Sequence, residues 1–330
     1  MSIEEQQKDG RANPDGDKSF QHYYVKGLEI ENVRCFGKRQ RINFTDSKGN
    51  ISQWTVILGD NATGKTTLLR SIVSMLHLPL SDEDDGENQK RYTYLRGLVD
   101  GWDMKHQDGE QESVLRMIMS ICKPPFIEEK WPEIFVSNTY KRNHKSRERK
   151  FLTRQSYCFA YGANRRMTEK SLSDDSFTRI SENLYKDDAF LPNSSEYFLR
   201  LDYETAKSRK GSRELDKVKE LLLKVLPEGV QDIKIVKAGR LQREVQVKTD
   251  FGWVNLNDLS LGYKTTIAWL IDFATKMIYF HDKSDNPFDE SAILVLDEID
   301  LHMHPAWQRI LHSQFFSVRS CQKRTGMCWR

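Results

Sequence analysis

A chain of 330 residues, 38 % hydrophobic and 30 % charged, is long enough for one large α/β domain or two smaller ones beneath a polar surface. Its formal net charge of +3 lies too near balance to mark a nucleic-acid binder, so any basic patch must be local. No apolar run approaches the roughly 20 residues of a membrane helix, and the N-terminus lacks the apolar core of a secretory signal.

Residues 1–20 are polar and are expected to form a disordered leader. Tyr23 to Val33 then alternates apolar and polar residues, as a half-buried strand does. The turn Arg34-Cys35-Phe36-Gly37 and a second alternating run, Gln40 to Phe44, predict a hairpin. After a turn at Asp46 to Gly49, the apolar run Trp54 to Leu58 predicts a strand. It leads into Gly59-Asp60-Asn61-Ala62-Thr63-Gly64-Lys65-Thr66-Thr67, and helical spacing begins there. This is G-x-x-x-x-G-K-[ST] in its required context, a P-loop. Small residues let successive backbone N–H groups turn toward a phosphate, and the helix N-terminus adds partial positive charge. Lys65 is expected to reach the β- and γ-phosphates of ATP, and the Thr66 hydroxyl to take one position on Mg²⁺.

The P-loop helix is expected to end near His77, before Pro79. An acidic loop at Ser81 to Gly86 and a strand around Tyr92 to Leu95 follow. Ser113 to Ile121 fits a strand or a short helix. Asn138 to Lys150 holds six Lys/Arg against one Glu. It reads first as a solvated loop; contact with phosphate backbones and partner docking stay open as alternatives. Ser156 to Tyr161 predicts a buried strand. Helices are expected near Ser194 to Ala206 and Ser212 to Leu226, the second stopped by Pro227 and Gly229. Val230 to Val236, Arg243 to Thr249 and Gly252 to Val254 read as strands.

Leu256 to Phe280 repeats the P-loop's device: a polar, glycine-containing turn with Ser260, Leu261 and Gly262 at the start of an apolar helix, suited to an anion. Ala292 to Leu296 predicts a buried parallel strand ending in Asp297-Glu298. A carboxylate at that edge can hold the Mg²⁺ shell beside Thr66, and its neighbour can polarise an attacking water. The five cysteines, Cys35, Cys122, Cys158, Cys321 and Cys328, include no C-x-x-C pair. That argues against a zinc site or a disulfide framework and for the reducing cytoplasm.

The P-loop, LSLGY and LVLDEIDLHMHP together resemble the ABC-type ATPases, in their SMC/RecF-like branch. The DEIDLHMHP form is similar to the group that includes the OLD proteins and the Septu (PtuA-like) anti-phage defence ATPases. The segment FLRLDYETAKSRKGSRELDKVKELLLKVLPEGV before LSLGYKTTIAWLIDF is similar to the Septu group in particular. The resemblance implies an α/β P-loop ABC-ATPase head with a mixed sheet, antiparallel N-terminal strands and a compact α-rich insertion without a long coiled coil. The implied division is 21–80, with Walker A; 81–225, the insertion; and 226–313, with signature and Walker B.

The resemblance also implies roles. Gly59 to Thr67 match Walker A, Asp297 the Walker B aspartate and Glu298 the catalytic glutamate, with Lys65. Ser260, Leu261 and Gly262 match the signature that reaches ATP held by the opposite subunit, and Asp300 the D-loop aspartate. Arg34 matches the basic residue near the nucleotide in RecF-like heads. His302 and His304 are assigned a structural place beside the D-loop rather than a metal.

The implied assembly is a homodimer or higher homo-oligomer with ATP and Mg²⁺ sandwiched between heads. It would control a separate HNH-type (PtuB-like) nuclease, away from any membrane. The alternatives are a DNA-repair ATPase of RecF type that clamps DNA, or a non-hydrolysing ATP sensor.

Two departures stand out. The Q-loop glutamine has no counterpart, Asn164, Arg165 and Arg166 occupying its place. No switch histidine follows Phe315 to Ser320, so residues 314–330 read as an atypical or truncated tail and hydrolysis is expected to be weak.

Overall fold

The computed structural model describes residues 22–46, 49, 55–76, 112–122, 133–140, 145–148, 157–168, 180–205, 209–226, 230–239, 242–282, 284, 286–290 and 292–301. The expected leader, the acidic loop, the strand around Tyr92, His302, His304 and the tail lie outside them.

The expected N-terminal hairpin forms. Strand β1 (His22–Glu31) pairs antiparallel with β2 (Gln40–Asn43), Leu28 opposite Ile42. Ser113 to Ile121, ambiguous in sequence, is a strand: β3 (Ser113–Cys122) pairs antiparallel with the other edge of β1, with a register shift between Val25 and Gly27. Strands β4 (Glu133–Tyr140) and β5 (Lys145–Glu148) continue the meander, giving the order β2-β1-β3-β4-β5. The described part of the basic stretch, residues 138–140 and 145–148, is therefore not the loop expected of it but lies in β4 and β5.

Two parallel strands form the centre. Strand β10 (Ala292–Leu296) runs beside β6 (Tyr157–Tyr161), with Leu294 opposite Phe159. Both faces of this pair are covered, which is why both segments read as continuous apolar runs. Cys158, Ala160, Ile293 and Val295 join a core with β1, β3 and helix α1 (Lys65–Leu76). Phe159, Tyr161, Ala292 and Leu294 join a second core on the opposite face. Alternation along two strands thus divides the molecule into two hydrophobic layers.

The second core is built around α5 (Leu261–Phe280), buried on nearly every side from Thr265 to Met277. A helix that is apolar all round must be enclosed, and α3 (Ser194–Thr205) and α4 (Arg209–Val225) pack against it. Along α4, Leu215, Val218 and Leu222 recur at helical spacing and are all buried. Burying each such side chain fully is worth about 1.5–3 kcal/mol. The meander β7 (Asp232–Lys237), β8 (Arg243–Thr249) and β9 (Gly252–Asn255) closes this layer, with Ile233 opposite Val247 and Val247 opposite Val254. A short helix, α2 (Glu182–Tyr185), sits against the end of β6.

One expected strand is missing. Residues 55–60, the described part of the run before the P-loop, form no ladder, and Val56 and Leu58 are 63 % and 88 % exposed. An apolar run becomes a strand only where a neighbour offers its hydrogen-bonding edge, and among the described residues β10 pairs with β6 alone.

Candidate functional site

The P-loop caps α1. Gly64 has φ +95° and Ala62 φ +66°, so the chain passes twice through the left-handed region as it enters the helix. Gly64 is required on two counts: a Cβ there would lie 2.5 Å from Cys35 Sγ and 3.0 Å from the Phe36 ring. Gly59 also has no room, because its Cβ would lie 2.7 Å from Thr63 Oγ1. Thr63 Oγ1 instead donates to the Asp60 carbonyl at 2.8 Å and braces the loop. Lys65 Nζ donates to the Gly59 and Asp60 carbonyls at 2.7 and 2.8 Å. Asn61 lies exposed at the loop's outer turn, and Thr67 enters the helix.

The contact with Gly64 explains the place of the turn after β1. Val33 and Phe36 exchange both backbone hydrogen bonds at 2.8 Å, which brings Cys35 and Phe36 against the loop. Arg34, exposed with φ +52°, is the residue of that turn next to Cys35.

Thr66 and Asp297 are 231 positions apart, yet Thr66 Oγ1 donates to Asp297 Oδ2 at 2.6 Å. Asp297 is 5 % exposed, and its N–H donates to the Tyr161 carbonyl at 2.9 Å, extending the β10–β6 ladder by one bond. Glu298 is exposed and takes φ +46°. A non-glycine residue held there costs about 1–3 kcal/mol and persists only where its surroundings enforce it. The Leu301 N–H donates to the Glu298 carbonyl at 3.0 Å, closing a tight turn that carries Asp300 on its exposed side.

Enforcement comes from Arg165, which the sequence marked only as occupying the place of an absent glutamine. Its guanidinium, 3 % exposed, donates to the carbonyls of Gly162, Asp297 and Glu298 at 2.6, 2.5 and 2.7 Å. Burial pulls its pKa down to about 10, against Asp297, Glu298 and Asp300, which pull it upward. It stays protonated at neutral pH. The available signal was a cationic side chain four residues past a buried strand, where burial demands partners.

Ser260, Leu261 and Gly262 begin α5. Ser260 is the exposed N-cap residue, without a side-chain cap bond; Leu261 is 48 % exposed and Gly262 buried. The turn's bonds are local: Thr265 and Thr266 donate to the Gly262 carbonyl at 3.1 and 2.8 Å, and Lys264 Nζ to the Asn257 carbonyl at 3.2 Å. Within one chain the structure thus joins Thr66 of the P-loop to Asp297 and leaves Ser260 exposed.

A second group escaped the sequence reading. Tyr161 Oη and Lys276 Nζ both donate to Asp272 Oδ2 at 2.7 Å, all three side chains being buried. The network pins α5 to the strand whose end precedes Arg165. Burial, then the Asp272 charge and hydrogen bond, push the Tyr161 phenol well above its usual range.

A P-loop with a bare glycine entrance, a lysine and a paired hydroxyl and carboxylate fits a nucleoside triphosphate with Mg²⁺: oxygen donors suit a hard cation, and N–H groups at a helix start suit phosphate. Among the described residues no cluster of three or more His, Cys, Asp or Glu could hold a metal by itself. Thr66 and Asp297 offer two oxygen ligands, and a hard cation there would take further ligands from phosphate and water. No described helix is long and apolar enough to cross a membrane.

Known proteins similar to this chain include the following three. The chain is 27 % identical to the Septu protein PtuA of Bacillus mycoides (strain KBAB4) over 301 residues, covering 88 % of this chain and 36 % of that protein. It is 34 % identical to the Retron Ec83 probable ATPase of Escherichia coli over 100 residues, covering 30 % of this chain and 17 % of that protein. It is 35 % identical to the Retron Vc95 probable ATPase of Vibrio cholerae serotype O1 biovar El Tor over 83 residues, covering 25 % of this chain and 16 % of that protein. The chain thus spans about a third or less of the length of these relatives. Among solved structures, the SMC head domain from Thermotoga maritima aligns with a TM-score of 0.41 at 14 % identity, covering 88 % of this chain and 85 % of that one. The family profile of the AAA domain matches residues 27–237, more than half of the sequence, and the chain belongs to that family.

Proposed function

We propose that this chain is the ATP-binding and ATP-hydrolysing head of a prokaryotic anti-phage defence ATPase. The observation that carries the reading is the 2.6 Å bond between Thr66 and Asp297, with Glu298 next in sequence at the open edge. Similarity to a Septu protein and to two retron probable ATPases supports the defence setting.

The residues divide the chemistry. The loop from Gly59 to Thr67 would hold the phosphates, and Lys65 would exchange two neutral carbonyl acceptors for a charged phosphate oxygen, a stronger partner. Thr66 and Asp297 would hold Mg²⁺, which neutralises charge on the phosphate oxygens. Glu298, exposed beside them, would orient and polarise the attacking water. Arg34 would add positive charge at the loop's shoulder.

An exposed Ser260 at a helix N-terminus, without a side-chain cap bond, supports completion of the site by a second copy: Ser260 and Gly262 of one head would meet ATP on the other, with Asp300 at the same interface. ATP would then favour the closed dimer, because both copies bind it. The output would be control of a partner HNH-type nuclease.

The test compares phosphate release and ATP-induced association in wild type, Glu298→Gln and Ser260→Arg. Glu298→Gln should abolish turnover and keep binding. Ser260→Arg should block association while each monomer still binds nucleotide. Equal turnover in Glu298→Gln would favour an ATP sensor; loss of monomer binding in Ser260→Arg would contradict a role across the interface.

One observation favours a second reading, a head that clamps duplex DNA: of the basic run at residues 138–150, residues 138–140 and 145–148 lie in β4 and β5 at one edge of the five-stranded sheet. Strong salt-dependent affinity of the isolated protein for duplex DNA would support it.

A further inference from the structure

We infer that Arg165 is a positioning residue for ATP hydrolysis, acting through the backbone of Asp297 and Glu298 and never touching the nucleotide. The inference rests on the reading of Glu298 as the residue that polarises water.

A guanidinium in the interior persists only when its N–H groups find acceptors. Here the acceptors are three peptide carbonyls, those of Gly162, Asp297 and Glu298, contributed by two separate strand ends. A planar fork of donors holds three such oxygens in a fixed geometry; an ammonium carries its three donors on one nitrogen at the end of a flexible stem and imposes no such plane. With two of its bonds on consecutive peptides, Arg165 fixes the orientation of the 297–298 segment. It holds Glu298 at φ +46°, a conformation the residue would not keep by itself. The side chain is thereby committed to the backbone, which separates its role from that of a residue reaching for phosphate.

The segment carrying Arg165 is anchored in turn. The Gly162 N–H donates to Asn183 Oδ1 at 2.9 Å, and Asn183 Nδ2 donates to the Asn164 and Ala189 carbonyls, both at 2.7 Å. Gly162 packs so tightly on the Asn183 backbone that a Cβ would collide with it. Asn183 therefore stiffens the turn, the turn fixes Arg165, and Arg165 fixes the edge of the site. Support of this kind holds a reacting group to within a fraction of an ångström.

The experiment uses the full chain with Arg165→Lys and Arg165→Ala, measuring ATP turnover, affinity for a fluorescent ATP analogue, and amide hydrogen exchange across 297–301. In both variants kcat should fall about 100-fold, as for a displaced reacting group. Affinity for the analogue should stay within about threefold of wild type, separating positioning from binding. Exchange at 297–301 should accelerate about tenfold or more while α5 keeps its protection. Adding Arg165→Lys to Glu298→Gln should lower turnover no further than Glu298→Gln alone, because both act through one carboxylate.

Full turnover in Arg165→Lys would overturn the inference, as would affinity falling in step with kcat. Global unfolding of both variants would also overturn it, making Arg165 a general support of the core. If Glu298→Gln alone leaves turnover intact, the reading of Glu298 fails and takes this inference with it. A fall confined to the Glu298 variant defeats the inference alone.

Discussion

The Thr66 hydroxyl and the Asp297 carboxylate meet at 2.6 Å, one at the start of α1 and the other at the end of β10. That bond unites the two halves of the candidate site within one chain. Thr66→Val keeps the shape and removes the oxygen. Mg²⁺-dependent ATP affinity should fall at least about tenfold, equivalent to about 1.4 kcal/mol. Affinity in excess chelator should change little. Titration of a fluorescent ATP analogue with and without Mg²⁺ reads both, and an equal loss in chelator would assign Thr66 to phosphate instead.

Gly64→Ala adds two separable costs. The left-handed backbone contributes about 1–3 kcal/mol of strain, and the new methyl meets Cys35 Sγ and the Phe36 ring. ATP binding should be lost in the single variant. Cys35→Gly in the same chain should recover part of the stability and leave the strain, as a thermal melt of the three variants would show. Full recovery would mean that crowding was the whole cost.

The buried Asp272–Lys276 pair predicts an asymmetry. Asp272→Asn or Lys276→Met leaves one charge or donor without its partner and should destabilise by about 3–5 kcal/mol. Replacing both with apolar residues of similar volume should cost less than the two single changes added together. Urea unfolding of the four proteins closes the cycle, and additive losses would deny the coupling. Because the pair ties α5 to β6 through Tyr161, the single variants should also weaken ATP-induced association.

His281 gives a pH dependence. It follows α5, its Nε2 has no hydrogen-bond partner among the described residues, and its ring stands edge-to-face with Tyr157 at 5.0 Å between centroids. Burial lowers its pKa below 6.5, with Glu290 and Asp282 opposing. A lowered folded-state value means that the unfolded chain binds the extra proton first as pH falls through 6.5. Its stabilising contribution is therefore complete above that pH and is lost as pH drops toward the folded value. His281→Phe should flatten this loss: between about pH 7.5 and about pH 5.5 wild-type Tm should fall further than that of the variant. Parallel melting curves would remove His281 from the account.

Much of the fold lay open to sequence reading because the relevant forces are local or periodic. Alternation gave the β1–β2 hairpin and the β7–β8–β9 meander, and helical spacing gave α3, α4 and α5 to within a few residues. The P-loop could be read because phosphate binding demands small residues, a lysine and a hydroxyl at fixed spacing. Ser113 to Ile121 stayed ambiguous because a short apolar run serves either structure, and only pairing with β1 and β4 made it a strand. The run at residues 55–58 erred the other way: its residues favour a strand, but a strand also needs a partner's edge.

Sequence alone marked the residues of the proposed site: Gly59 to Thr67, Ser260 with Gly262, and Asp297 with Glu298. Each is a contiguous pattern whose chemistry needs particular residues at particular spacing. Only the tertiary structure decided that Thr66 bonds Asp297, that Cys35 and Phe36 press on Gly64, and that Arg165 holds the backbone of Glu298. These contacts span 231, 29 and 133 positions. No local periodicity encodes such distances; they arise when β6 and β10, buried on both faces, bring their C-terminal ends to one edge.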